Sequence, residues 1–406
     1  MTAIEIINKS LIIIFSVCYF YQFIYLIISL LPSKKEEYND KLNKYAILIA
    51  ARNEEKVIGN LLNSIQNQNY PHDSYDIYVC ADNCTDNTAA IAQKYGAIVY
   101  ERNNKQQIGK GYVLNYILQK IKEQNKKYSA YIVFDADNIL DTNFLKEINR
   151  VYNRGYKIIT SYRNSKNYGD NWISAGYGLW YLHESGQLSA ARMRIKSSCS
   201  VNGTGFMFSQ EILDKCGNWK FFLLTEDIEF SVYNITRGEK IGYAKKAILF
   251  DEQPTEFKQS FHQRLRWSKG YLQVLQKYGI DLISGMFRGS FSCYDMLMNI
   301  APAAILSFIS VIANILAFVY GNSDKNSLIQ LCCSGYLTLF IIGLTTTITQ
   351  WKQIYCSDIK KIFYMFTFPF FMLTYIPISL VALFTKVKWT PIEHNRNLNL
   401  KEIKEK

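Results

Sequence analysis

The 406-residue chain has no Cys-x-x-Cys pair and no histidines at metal-ligand spacing. Its nine cysteines are scattered and odd in number, which argues against a disulfide framework and a structural zinc site. The four histidines, His72, His183, His262 and His394, lie far apart. There is no Gly-x-x-x-x-Gly-Lys-Ser/Thr loop and no Gly-x-Gly-x-x-Gly after a strand, so an ATPase loop and a dinucleotide fingerprint are both absent. No nucleic-acid motif appears, and the Lys and Arg residues behind the net charge of +12 are dispersed, so no nucleic-acid partner is expected. Charge is missing from four long stretches: Leu11 to Leu31, Met296 to Tyr320, Ser327 to Gln350 and Ile362 to Thr385. The first is long enough to cross about 30 Å of hydrocarbon. No small-residue cleavage site marks it as a secretory signal. Four such stretches predict a multi-pass protein of the cell membrane, with the lipid bilayer as a partner. None contains an ionisable pathway residue of the kind that transport requires.

Lys34 and Lys35 follow the first apolar run and place that end in the cytoplasm by the positive-inside bias. The polar block from Pro32 to Asp295 is then cytoplasmic. Within it, Tyr45 to Ala51, Ile77 to Ala81 and Tyr131 to Phe134 are short apolar runs of the kind that form buried parallel strands. Between them fall helical patterns. One is opened by Asn53-Glu54-Glu55, with Asn53 as its cap and Val57, Ile58, Leu61, Leu62 and Ile65 on one face; another begins near Gly109-Lys110-Gly111. This alternation predicts an α/β fold with a mainly parallel sheet, in which ligands bind beyond the carboxyl ends of the strands. Ala51-Arg52, Asp82 and Asp135-Ala136-Asp137 stand at such ends.

Asp135 and Asp137 flank one alanine and project to the same side of an extended strand end. Two hard oxygen donors there suit Mg²⁺ or Mn²⁺; a solvated acidic loop is the plainer alternative. Asp82 can accept from a nucleobase imide or a ribose hydroxyl, or merely shape a turn. Lys110, between two glycines, can steady a phosphate or be an ordinary surface lysine. Gly203-Thr204-Gly205 precedes an apolar strand and leaves room for substrate against backbone, or is an ordinary bend. Thr225-Glu226-Asp227 opens a helix whose positive end favours ionised carboxylates, so that Asp227 can act as a general base; an ordinary helix start with acids in its first turn is the plainer alternative, and the stronger one for this run taken alone. Gln263-Arg264-Leu265-Arg266-Trp267 lies on an amphipathic helix with Phe257, Phe261, Leu272 and Leu275, suited to a membrane surface. Arg266 can hold a diphosphate with its fork of donors, and Trp267 offers a face for a sugar ring.

Assembled, these elements resemble the processive glycosyltransferases of family 2, the group of cellulose, hyaluronan, chitin and poly-N-acetylglucosamine synthases, over Tyr45 to Tyr278. The residues that carry the resemblance are Ala51-Arg52-Asn53-Glu54-Glu55, Asp82, Asp135-Ala136-Asp137, Thr225-Glu226-Asp227 and Gln263-x-x-Arg266-Trp267. The resemblance implies a GT-A (Rossmann-like) catalytic domain flanked by transmembrane helices, with inversion at the anomeric carbon. A UDP-sugar donor would be held by Ala51, Arg52, Glu54, Asp82, Lys110, Asp135, Gln263 and Arg266. A metal would sit on Asp137 and Asp135, Thr225, Glu226 and Asp227 would be catalytic, and a growing polysaccharide would lie against Trp267, Gly203, Thr204 and Gly205 before export through the chain's own helices. One-sugar transfer to a lipid-linked acceptor is the alternative. The expected divisions are a membrane helix in 1–33, the catalytic domain in 34–254, interface helices in 255–295, a membrane region in 296–385 and a basic tail in 386–406. Lys386 to Pro391 loosely resembles a gating loop. Pro369 and Pro377 interrupt the last apolar run, which is expected to be re-entrant and to leave the tail in the cytoplasm.

Overall fold

In a computed structural model of the protein, residues 3–32, 39–320 and 325–405 are described; the Lys34-Lys35 pair falls outside them. The strands are β1 (Tyr45–Ala51), β2 (Tyr75–Asp82), β3 (Ile98–Arg102), β4 (Ala130–Asp135), β5 (Ile139–Leu140), β6 (Ile158–Ser165), β7 (Phe206–Ser209) and β8 (Ile241–Asp251). The helices are α1 (Ala3–Leu30), α2 (Ile58–Gln66), α3 (Thr88–Lys94), α4 (Lys110–Glu123), α5 (Phe144–Asn153), α6 (Trp172–His183), α7 (Ala190–Arg194), α8 (Gln210–Cys216), α9 (Glu226–Ile235), α10 (Phe257–Phe287), α11 (Phe291–Ile300), α12 (Pro302–Val319), α13 (Lys325–Thr349), α14 (Asp358–Leu373), α15 (Tyr375–Phe384) and α16 (Leu400–Lys404). A π-helical segment, Glu184–Ser189, joins α6 to α7.

All eight strands form one sheet in the order β3-β2-β1-β4-β7-β6-β8-β5. The pairs β1–β2, β2–β3, β1–β4 and β6–β8 are parallel; β7 runs antiparallel to both β4 and β6. The expected α/β fold with a mainly parallel sheet is therefore present, with β7 reversed near its centre and β5 reversed at the edge beside β8. Alternation along β1 explains its unbroken apolar sequence. Ala46 and Leu48 enter one core with the α4 residues Val113, Leu114 and Ile117; Tyr45, Ile47 and Ile49 enter the other with Ile58, Leu61, Leu62 and Ile65 of α2. Each fully buried aliphatic side chain contributes about 1.5–3 kcal/mol.

Three described runs are long and apolar enough to cross a membrane: Ala3–Leu30, Leu328–Thr349 and Asp358–Phe384. The expected single run from Met296 to Tyr320 is divided, because α11 ends at Ile300 and Pro302 starts α12; proline has no N–H with which to continue the earlier helix. α1 and α12 are joined by a reciprocal amide pair, Asn8 and Asn314 (3.0 and 3.2 Å), and Tyr21 and Tyr25 of α1 donate to Asp295 of α11 (2.9 and 2.7 Å). Asp295 in turn accepts two bonds from buried Arg192 of α7 (2.7 and 2.9 Å), which ties the first apolar helix to the sheet domain.

Of the two prolines expected to interrupt the last apolar run, Pro369 lies inside the continuous helix α14 and only Pro377 stands near an interruption. Pro377 cannot donate to the carbonyl of Leu373, and the chain turns at Thr374 between α14 and α15. Fully buried Arg264 of α10 donates to the Phe371 carbonyl (3.2 Å) and to Thr374 Oγ1 (2.6 Å). Both ends of this broken segment meet the sheet domain. Lys360 donates to the Gly169 carbonyl (2.7 Å), and Arg396, beyond α15, pairs with Asp170 (2.7 Å). The end of α13 meets the same domain, where Gln187 donates to Thr349 (3.1 Å) and Tyr162 to Gln350 (2.7 Å).

Candidate active site

The parallel register sets Ala50 beside Asp135 and Ala51 beside Ala81, so β1, β2 and β4 end at one rim. A cleft of about 250 Å³ opens there and runs toward the apolar helices. Ala51, Arg52, Glu54, Asp82, Lys110, Asp135, Asp137, Gly203, Thr225, Glu226, Asp227, Gln263, Arg266 and Trp267 all line it. Thr204 and Gly205 stand behind its wall. Thr204 Oγ1 accepts from the Asp135 N–H (2.9 Å) and bonds Asn138, and a Cβ on Gly205 would fall 1.9 Å from Leu249 Cδ2. Neither lines the cleft; Thr204 supports the backbone at Asp135.

At the β1–β2 end, buried Asp82 is paired with buried Arg102 (2.5 Å), whose other nitrogen donates to the Gln107 carbonyl (2.9 Å). Arg52 lies over the ring of Trp389 at 5.4 Å. Asn53 is not a helix cap. Its φ of 56° is left-handed, its side chain accepts from the Thr85 N–H (2.8 Å), and α2 starts only at Ile58. The Asx-type bond across to the β2 loop wins over capping. Glu54 faces His394, whose Nδ1 lies 3.1 Å from both carboxylate oxygens. Burial raises the Glu54 carboxyl; burial also opposes charge on His394, but Asp137 and Glu54 outweigh it and push the imidazole up to about 10.

Asp135 is paired with Lys110, which also donates to the Gly203 carbonyl (2.7 Å). Asp137 accepts from the Glu252 N–H (2.7 Å); burial disfavours its charge, yet His394, Lys166 and that N–H hold it below the usual carboxylate range. Among the described residues no group of three or more His, Cys, Asp or Glu side chains forms a metal cage. Two carboxylates of hard oxygen at a strand end nevertheless fit a divalent cation that completes its shell with water and phosphate oxygens.

Across the cleft, α9 begins at Glu226, directly after Thr225. Acids in a first turn gain roughly 0.3–1 kcal/mol from the helix dipole. Burial, then the neighbouring Asp227, pushes Glu226 up to about 7, and burial raises Asp227 against the pull of its backbone bonds, Lys110 and Arg266. Gly203, at φ 79°, leaves the space in front of Asp227 open: a Cβ there would stand 3.7 Å from Asp227 Oδ2. The α9 entrance is clamped to α10. Arg266 donates to the Leu224 carbonyl (3.2 Å), the Leu224 N–H donates to Gln273 (3.3 Å), and Lys277 pairs with Glu229 (2.6 Å). Gly270 permits this approach, since a Cβ would lie 2.5 Å from Thr225.

The cleft also holds residues to which sequence reasoning gave no role. Arg163 of β6 pairs with Asp251, donates to the Asn202 carbonyl (2.7 Å) and lies over the Tyr181 ring at 3.8 Å. Trp180, Glu184, Tyr271, Asn299 and Tyr375 line the end nearest the apolar helices, and Trp389, Thr390, Pro391, Ile392 and His394 roof the other. The roof was partly legible as Lys386 to Pro391; the rest had no local signal, because each residue comes from a different element. The tail is held by the Asn395 and Arg396 N–H groups on Glu252 (3.1 and 2.9 Å) and by Ile403, buried with Ile139 and Phe250.

Three comparisons bear on this cleft. Residues 43–270, more than half of the chain, match the model of "Glycosyltransferase like family 2". The β-monoglucosyldiacylglycerol synthase of Nostoc sp. is 26% identical over 287 residues, 67% of this chain and 58% of that protein; the poly-β-1,6-N-acetyl-D-glucosamine synthase of Staphylococcus aureus (strain COL) is 24% identical over 285 residues, 66% of this chain and 63% of that protein. The chain thus spans about three fifths of the length of these curated relatives. In fold, it resembles the mannosyltransferase PcManGT from Pyrobaculum calidifontis, solved in complex with GDP-Man and Mn²⁺, with a TM-score of 0.62 and 13% identity over 93% of this chain and 98% of that one. The sheet is GT-A-like, the enzyme class is glycosyltransferase, and the chain belongs to the family 2 glycosyltransferases.

Proposed function

We propose that this protein is an inverting membrane glycosyltransferase that moves a sugar from a UDP donor to the hydroxyl of a lipid-linked acceptor at the inner leaflet. The observation that carries the reading is the position of Asp227: in a cleft beneath apolar helices that Asp135 and Asp137 also line, near Lys110, with open space in front of it at Gly203. The diacylglycerol-directed name of the Nostoc relative supports a lipid acceptor.

Asp82 and Arg52 flank the nucleoside end, with Ala51 and Glu54 beside them. Lys110, Gln263 and Arg266 hold the diphosphate, where a fixed fork of donors suits its oxygens. Asp137 and Asp135 would hold Mg²⁺ or Mn²⁺, which would supply electrostatic stabilisation of the departing UDP. Asp227 takes the proton of the acceptor hydroxyl while that oxygen attacks the anomeric carbon from the face opposite the diphosphate. Glu226 and Thr225 set the position and charge of Asp227, and Trp267 stacks the acceptor.

The functional divisions follow the expected ones: catalytic unit to residue 254, interface helix 255–295, apolar region 296–385 and tail 386–406. We place the sheet domain in the cytoplasm, with α1, α12 and α13 crossing the bilayer and α14–α15 re-entrant, because both ends of that broken segment bond to the domain.

A second reading, processive polymerisation with export, is favoured by the Gln263-x-x-Arg266-Trp267 run and by the Staphylococcus relative. Incubating the purified protein with UDP-sugars and sizing the products separates the two. A lipid bearing one added sugar is expected; a ladder of long glycan overturns single transfer in favour of polymerisation.

A further inference from the structure

Glu184 stands in the wall of the cleft with one carboxylate oxygen engaged and the other open. Both of its hydrogen bonds fall on Oε1, from Arg192 Nη1 (2.6 Å) and Ser189 Oγ (3.2 Å); Oε2 accepts none from the described residues. Three residues earlier, Tyr181 also lines the cleft. It is only 5% exposed, and its buried hydroxyl has no hydrogen-bond partner among the described residues. Buried polar atoms are ordinarily satisfied, and a bond left unmade there is costly. The Tyr181 ring packs with Trp267 and Tyr375 and lies beneath Arg163 at 3.8 Å, so its position is fixed. The hydroxyl of Tyr271, in the same wall, is pushed up by burial and then by Asp227 and Glu184, which sets both carboxylates around one ring. An acceptor that meets Asp227 and stacks on Trp267 therefore passes two unused groups: a carboxylate oxygen that accepts and a phenol that can donate.

The support of Glu184 reaches into the apolar helices. Arg192, which bonds it, also donates twice to Asp295 of α11 (2.7 and 2.9 Å). Asp295 accepts two further bonds, from Tyr21 (2.9 Å) and Tyr25 (2.7 Å) of α1. Arg192, Glu184 and Asp295 are all buried, so one guanidinium serves two carboxylates out of water. In such a network each bond depends on the others, and a change at the tyrosines is felt at Glu184. Glu184 also starts the π-helical segment, a rare winding found mostly at functional sites.

Resting on the proposed glycosyltransfer at this cleft, we infer that Glu184 and Tyr181 orient the acceptor by bonding a hydroxyl other than the one that attacks. Glu184 Oε2 accepts from that hydroxyl and Tyr181 donates to its oxygen. Through Tyr21, Tyr25, Asp295 and Arg192, the first apolar helix is a positioning element for Glu184 as well as an anchor.

The test uses the full chain in nanodiscs with Mn²⁺ and a panel of labelled UDP-sugars. The acceptors are monoglucosyldiacylglycerol, a short β-linked N-acetylglucosamine oligomer and diacylglycerol. Glu184→Gln should raise the KM for whichever glycan is used by about 10- to 100-fold, with a smaller effect on kcat and with UDP affinity, measured by calorimetry, retained. Tyr181→Phe removes a hydroxyl that bonds nothing in the fold, so the thermal midpoint should hold while the same KM rises about 3- to 10-fold. Tyr21→Phe combined with Tyr25→Phe should raise that KM by a similar factor in the native background and add nothing once Glu184→Gln is present, the signature of a shared network. An unchanged KM in both Glu184→Gln and Tyr181→Phe overturns the inference. So does transfer to diacylglycerol alone, whose single hydroxyl is the attacking one. A tyrosine effect that adds in full to that of Glu184→Gln overturns the role given to the first apolar helix. Failure of the unaltered protein to bind UDP, together with no transfer to any of the three acceptors, overturns the glycosyltransfer reading itself.

Discussion

Asp227 is the general base of the proposed reaction, and its environment sets the pH at which it can work. It is buried beside Glu226, which titrates at about 7, and Lys110 and Arg266 partly offset the cost of its charge. A base must be ionised, so the rate should fall as pH drops and the pair gains a proton. Lys110→Met removes a positive charge that lowers both carboxyls; the acid limb of kcat against pH should therefore move to higher pH. A limb that stays in place or moves down would count against Lys110 as their counter-charge. Asp227→Asn keeps the shape but not the proton acceptor, and should lower transfer by roughly 10²- to 10⁴-fold with UDP affinity retained; calorimetry and turnover on the same sample check both halves. Asp82, Asp135 and Asp227 were legible in the sequence because each sits at a strand end or a helix start, and Arg266 because its Gln-x-x-Arg-Trp run is local. Arg102, Arg163 and His394 were not. Arg102 reaches Asp82 through the pairing of β2 and β3, Arg163 reaches Asn202 across the fold, and His394 meets Glu54 from 340 residues away.

At the scale of the element, the site depends on helices pressed against loops at positions where a side chain has no room. α4 enters beneath Lys110 with Gly111 at its second residue, and a Cβ there would fall 2.0 Å from the Phe221 carbonyl oxygen. That oxygen belongs to backbone and cannot rotate away. Gly111→Ala should destabilise the fold by about 1–3 kcal/mol, and the thermal midpoint of the purified protein should drop. Gly335→Ala is the informative control, since it too lies within a helix but has open space around it; only Gly111→Ala should also reduce transfer by shifting Lys110. The first three parallel strands read plainly from their apolar runs. β3 did not, because Ile98 to Tyr100 are only half-buried, and β5 has two residues. The antiparallel insertion of β7 carries no local signature, for strand direction is decided by which edge is free when the chain returns.

For the whole molecule, the proposed re-entrant reading of α14–α15 sets the expected count of crossings. If α1, α12 and α13 span and the last segment returns, residue 320 and the tail lie on opposite sides of the bilayer. Tyr320→Cys, exposed at the end of α12, should react with a membrane-impermeant thiol reagent on intact cells, after Cys332 and Cys333 have been replaced by serine. Lys404→Cys should react only after permeabilisation. Labelling of both from outside would require a fourth crossing and would place the tail away from Glu252 and Asp141, to which it bonds here.

That tail sets an order of events during biosynthesis. A nascent polypeptide grown only as far as Phe384 would already own every carboxylate of the catalytic rim, anchored in its lipid environment, while Trp389 and His394 were still being added. The roof over the cleft is thus contributed by a stretch that follows every carboxylate beneath it.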